Sequence, residues 1–178
     1  MDSDQTHRLE PLQKRIEKQY RRLEKRLEDY EEEDILERKN VGDNLGDIQT
    51  TEHYLLKPND ANELLSFYIT TAAAIESESA LIINAYSFNF GLDREGSLDF
   101  LYNLRQKDRE DMIYYLGLID SGLKGELAKV RKRRNEFAHS QDHRIIDDIE
   151  TEKANIKRAY NAMEKLKEIS IEVEMKSI

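Results

Sequence analysis

LKGELAKVRKRRNEFAH, residues 123–139, decides how the rest of the chain is read. Its apolar side chains Leu123, Leu127, Val130 and Phe137 are spaced 4, 3 and 7 residues apart, which places them on one face of an α-helix. The position missing from that inward series is filled by Arg134. A guanidinium in a core-facing slot either pairs with a buried acid or lines a cleft where an anion binds. The neighbouring Arg131, Lys132 and Arg133 read as a solvated basic run. Asn135 and His139 stand four apart and so share a helix face, where the amide can hold one imidazole tautomer. Arg134 and His139 are five apart, about 140° around a helix of ~3.6 residues per turn. A joint site therefore requires the helix to end near His139, which the polar Ser140-Gln141-Asp142 allows, or a second chain to contribute.

Upstream, residues 64–92 carry only two charges, Glu76 and Glu78, among Leu64, Leu65, Tyr68, Ala72, Ile75, Ile82 and Tyr86 at helical spacing. So apolar a helix belongs at the centre of the fold. Glu78 has Ala74, Ile75, Leu81 and Ile82 as its neighbours one turn away, and is expected to be partly buried, requiring a proton or a partner such as an arginine from another helix. Asn59 or Asp60 can cap that helix. Gly91 to Gly96 read as a turn, Ser97 as the cap of a helix through Lys107, and Met112 to Ile119 as a further helical piece ended by Ser121-Gly122. Thr151 to about Val173 reads as a last amphipathic helix, with Ile156, Tyr160, Met163, Leu166 and Ile169 inward. No run is convincing as a strand, although Ile169 to Val173 is weakly β-like.

At the other end, residues 8–40 are dominated by charge, with a narrow apolar stripe at Leu9, Leu12, Ile16, Tyr20, Leu23, Leu27 and Tyr30. The stripe predicts a long helix that packs lightly on the body or pairs with another chain. Residues 41–60 hold a turn-forming mixture of Gly, Asn, Thr, Pro and Asp. The chain therefore divides into a charged N-terminal arm, residues 1–45, and a helical domain, residues 46–178. The fold class is all-α, an antiparallel helical bundle with an additional long N-terminal helix.

Composition narrows the function classes. No stretch approaches the roughly 20 apolar residues needed to span a bilayer, and Met1-Asp2-Ser3-Asp4-Gln5 lacks the marks of a signal peptide. No membrane association and a cytoplasmic location are expected. The absence of cysteine removes disulfides, thiolate metal sites and cysteine nucleophiles together. The net charge of -9 opposes wholesale nonspecific binding to nucleic acid. Residues 129–144, however, hold six basic against two acidic side chains, +4, leaving -13 on the rest. There is no glycine-rich phosphate loop, nucleophile elbow or dinucleotide fingerprint. His139 and His143 have ligand spacing beside Asp142, but no matching glutamate motif accompanies them and the remaining histidines, His7 and His53, lie in unrelated segments. No metal and no cofactor are expected. Tyr114-Tyr115 could stack bases, yet aromatics at helical spacing are more often packed in a core.

Arg134-Asn135-Glu136-Phe137-Ala138-His139 resembles the Arg-x4-His motif of the HEPN superfamily, in the form with asparagine after the arginine. The order of segments around it is also similar: an apolar helix with acidic residues, further helices, then a motif helix after a glycine-containing turn. The resemblance covers roughly residues 60–170 and leaves the N-terminal arm outside it. It implies a HEPN-like bundle and a metal-independent endoribonuclease acting on single-stranded RNA, with two motifs facing each other across a homodimer cleft. Carried over, His139 would move the proton of the ribose 2′-hydroxyl or of the leaving oxygen, and Arg134 would hold the scissile phosphate. Asn135 would orient His139, Glu78 would support the site, and Arg131, Lys132 and Arg133 would contact RNA. A toxin-antitoxin or antiviral setting, with a restraining antitoxin or regulatory protein, belongs to the same resemblance. The competing reading is a noncatalytic helical interaction module, in which Arg134 pairs with Glu78 or Glu76 and His139 caps the helix.

Overall fold

The computed structural model describes residues 4–30, 35–42, 48–88, 100–101, 103–139 and 144–176. Helix α1 (Asp4–Glu28) is followed by strands β1 (Ile35–Gly42) and β2 (Ile48–Leu55), then by the long helix α2 (Pro58–Phe88). After it come α3 (Gln106–Tyr115), α4 (Ser121–His139), the two-residue strand β3 (Ile145–Ile146) and α5 (Ile149–Lys176). The chain is mostly helical, and α2 packs against each of the other four helices named here among the described residues. That centrality follows from its sequence: Leu64, Phe67, Tyr68, Ile75, Ile82 and Ile83 are all buried, and the stretch has almost no charge to keep in water.

Several helix ends have a local cause. Pro58 opens α2, where its missing N–H is no loss. Asp120 precedes α4 and its Oδ1 accepts the Leu123 amide at 2.7 Å, while Asp148 accepts the Thr151 amide at 2.6 Å at the start of α5. Those contacts with Thr151 hold the Asp148 carboxyl below its usual range. Helix α3 stops earlier than Ser121-Gly122: Gly117 takes φ 71°, and the amide of Leu118 bonds back to the Ile113 carbonyl at 3.0 Å. Asp60 does not cap α2. Its two oxygens accept from Arg26 Nη1 at 2.8 Å and the Tyr30 hydroxyl at 2.9 Å, fastening the end of α1 to the start of α2.

Helix α1 ends at Glu28 instead of running to residue 40. Its apolar stripe is not a light seam: Ile16, Leu23, Leu27 and Tyr30 are buried in the same core as Leu64, Leu127, Ile156, Met163 and Leu166. A division between residues 45 and 46 falls between two paired strands, because β1 and β2 run antiparallel with Lys39 opposite Thr51. Strand β2 also pairs antiparallel with β3, Tyr54 opposite Ile146 and Leu55 opposite Ile145. The order β1-β2-β3 makes a small sheet that the sequence did not suggest. It matters for the site, since the Leu56 amide donates to the Arg144 carbonyl at 2.8 Å and so fixes the chain shortly after α4 ends. The expected Gly91–Gly96 turn, the Ser97 cap, the Ser140-Gln141-Asp142 exit and His143 lie outside the described residues.

Candidate active site

Successive residues on a helix point about 100° apart, so a basic run on a helix flanked on three sides cannot all face water. Helix α4 is flanked by α2, α3 and α5. Its basic run is distributed accordingly. Arg131 turns to α3 and pairs with Glu110, Arg133 turns to α5 and pairs with Glu152, and Arg134 turns to α2 and pairs with Glu76 at 3.3 Å. Lys132 alone of the four is largely solvated, 3.7 Å from Glu136.

The Arg131 and Arg133 pairs are structural anchors, which corrects the reading of these residues as a solvated basic run. Glu110 and Glu152 are 1% exposed. Burial pushes the Glu110 carboxyl up, against the downward pull of Arg131. Glu152 also accepts the Tyr68 hydroxyl at 2.7 Å, and Tyr68 stacks on Phe137 with ring centroids 5.4 Å apart. The Arg133 guanidinium sits 4.6 Å from the Phe137 centroid. Burial opposes the charge of Arg133, but the bond to Glu152 and its charge prevail and raise its pKa. The Tyr68 hydroxyl is raised well above its ordinary value by burial and then by Glu152. This network was missed although the signal was there: Glu152 has Ile149 and Ile156 one turn away, the same apolar setting that drew attention to Glu78.

Arg134 sits differently. Its Nε and Nη2 donate to Asn135 Oδ1 at 3.1 and 3.0 Å, and its acid partner Glu76 is half-buried, not enclosed. Glu76 is shared, since Arg109 Nη2 lies 3.5 Å from its other oxygen. Arg109 is itself buried, with Nη1 donating to the Leu101 carbonyl at 2.9 Å. Glu78 is not the partner of Arg134. Two residues on from Glu76, it points to the opposite side of α2, where Gln13 Nε2 donates to it at 2.8 Å. There burial raises its pKa, with hydrogen bonds from Ser170 and Gln13 opposing the rise.

His139 is the last residue of α4 and is exposed, as is Asn135 one turn before it. The Asn135 oxygen is turned to Arg134 and not to the imidazole. Arg134, Asn135 and Glu76 are thus joined by contacts on α4 and α2, with His139 one turn beyond Asn135, while Glu78, Arg131 and Arg133 belong to the packing. Among the described residues no three His, Cys, Asp or Glu side chains are arranged to hold a metal ion. No helix of the described residues is long and apolar enough to cross a membrane. Compared with protein-family models, curated proteins and solved structures, the chain matches none.

Proposed function

We propose that this chain is a HEPN-type, metal-independent endoribonuclease that cuts single-stranded RNA at a composite homodimer site. The observation that supports it most is the contrast within the basic run. Arg131 and Arg133 are held by enclosed carboxylates, whereas the acid beside Arg134 is half-exposed and already has Arg109 as a second cation. Arg134 can therefore exchange Glu76 for a phosphate without stranding a buried charge. In the reaction, one His139 takes the proton of the ribose 2′-hydroxyl as that oxygen attacks phosphorus. The 5′-oxygen leaves with a proton from the His139 of a second copy, giving a 2′,3′-cyclic phosphate and a free 5′-hydroxyl. Arg134 neutralises the charge that accumulates on the phosphorus oxygens. Ile69 and Ala73 lie exposed on the same face of α2 as Glu76 and give the second copy an apolar surface beside the site.

The test is Arg134→Ala: a folded, dimeric protein without RNA cleavage supports this role, and cleavage at the parent rate refutes it. A noncatalytic interaction module has its own support, since all three polar positions of the Arg134 guanidinium already have acceptors within the chain. That reading predicts no RNA turnover by the parent. A setting in defence, with a restraining protein partner, is part of the nuclease proposal and rests on the resemblance alone.

A further inference from the structure

We propose that Arg109 is a positioning residue of the Arg134 site: by drawing on the Glu76 carboxylate, it leaves the Arg134 guanidinium available to a phosphate of single-stranded RNA. The proposal rests on the RNA reading above and deepens it by naming what sets the affinity of the site for its anion.

The three side chains form one cluster. Glu76 on α2 lies between two guanidiniums, with one oxygen 3.3 Å from Arg134 Nη1 and the other 3.5 Å from Arg109 Nη2. Two cations against one acid leave the cluster a net +1. Glu110, the next residue of α3, does not cancel that charge, because it pairs with Arg131 on α4. Without Arg109 the cluster would be one cation beside one acid. Such a neutral pair attracts a phosphate weakly, since the carboxylate repels the anion about as strongly as the guanidinium draws it in.

The two arginines differ in what holds them. The Arg134 side chain is 28% exposed, and Asn135 accepts from its Nε and Nη2, so a phosphate can replace Glu76 at Nη1 while Asn135 keeps the guanidinium oriented. The Arg109 side chain is only 8% exposed and so is shielded from an incoming strand. Its Nη1 donates to the Leu101 carbonyl at 2.9 Å, but its Nε is buried with no acceptor among the described residues. Enclosing a guanidinium with an unmet donor costs stability that a well-packed apolar side chain would not. The packing of α3 gives no reason for a charge at this position, whereas the site does. As a phosphate takes Arg134, both Glu76 oxygens become free to turn to Arg109, and each anion then has its own cation. In the free protein Glu76 stands in for the phosphate on Arg134 and thereby limits the affinity of the site.

The experiment uses the full chain carrying His139→Ala, so that binding is read without cleavage, and follows the anisotropy of a labelled single-stranded RNA octamer alongside thermal melts. Adding Arg109→Met should weaken binding about tenfold, the worth of one hydrogen bond to a charged group. Adding Glu76→Gln as well should return the affinity to within twofold, because no carboxylate then competes for Arg134. Glu76→Gln without Arg109→Met, at a half-exposed position, should keep the fold and tighten binding. Arg109→Met binding within twofold of the His139→Ala protein, or a loss that Glu76→Gln does not restore, shows that Arg109 serves the fold alone and overturns the proposal while the RNA reading stands. Should Arg109→Met fail to fold, Glu76→Gln alone decides, and binding that is unchanged or weaker overturns the proposal. Failure of the His139→Ala protein to bind any RNA removes the RNA reading and this role of Arg109 together.

Discussion

Removing Arg133 and removing Arg134, adjacent residues of one type, should have very unequal consequences for folding. Arg133→Ala leaves Glu152, 1% exposed, without its cation and strips the guanidinium from the face of Phe137. Breaking one member of such a buried pair costs about 3–5 kcal/mol, which for a chain of this size is a fall in Tm of roughly 10 °C. Arg134→Ala leaves Glu76, which is 36% exposed and keeps Arg109. Discounted for solvent, that loss is about 0–1 kcal/mol. Thermal melts and urea unfolding of the two variants read the difference directly. Glu152→Gln in the Arg133→Ala background should recover part of the loss, because it removes the stranded charge while leaving an acceptor for the Tyr68 hydroxyl. Equal losses for Arg133→Ala and Arg134→Ala, or no recovery with Glu152→Gln, would refute the division of the basic run into anchors and a site residue.

Other outcomes follow from the same geometry. Burial raises the Glu78 pKa, so as pH rises past the ordinary carboxyl range the unfolded chain releases this proton while the folded chain retains it, and stability falls. Glu78→Gln should therefore raise Tm at pH 7 and have no effect at pH 3, and a lower Tm at pH 7 would show that the charge is used. Ile69→Asp, placed on the exposed face beside Glu76, should convert the proposed dimer to a folded monomer in sedimentation and abolish RNA cleavage; a dimer that persists puts the interface elsewhere. Gly117→Ala meets no atom but must take φ 71°, so it should destabilise by about 1 kcal/mol in urea unfolding.

The helices were legible wherever apolar side chains recur with the helical period. Leu123, Leu127, Val130 and Phe137 are all buried as their spacing predicts, as are Ile156, Met163 and Leu166 on α5. The β1–β2 pair was not legible. Residues 35–42, ILERKNVG, lack alternating apolar positions, and Thr50 and Thr51 read equally well as turn or strand residues. What joins those strands is a backbone register between segments whose pairing no local pattern announces. At the site, the inward slot of Arg134 was legible because its neighbours in the series are apolar, and it does face α2. The choice between Glu76 and Glu78 was open to a helical wheel, since two residues on one helix differ by about 200°. Which of Arg131, Lys132 and Arg133 stays in water depends on what surrounds α4 on each side, and that is a property of the assembled bundle.

The central claim is tested most directly by incubating the parent and His139→Ala proteins with labelled single-stranded RNA in EDTA. Cleavage by the parent alone, leaving 2′,3′-cyclic phosphate ends, is the predicted result; equal cleavage by both proteins, or none by a folded, dimeric parent, contradicts it.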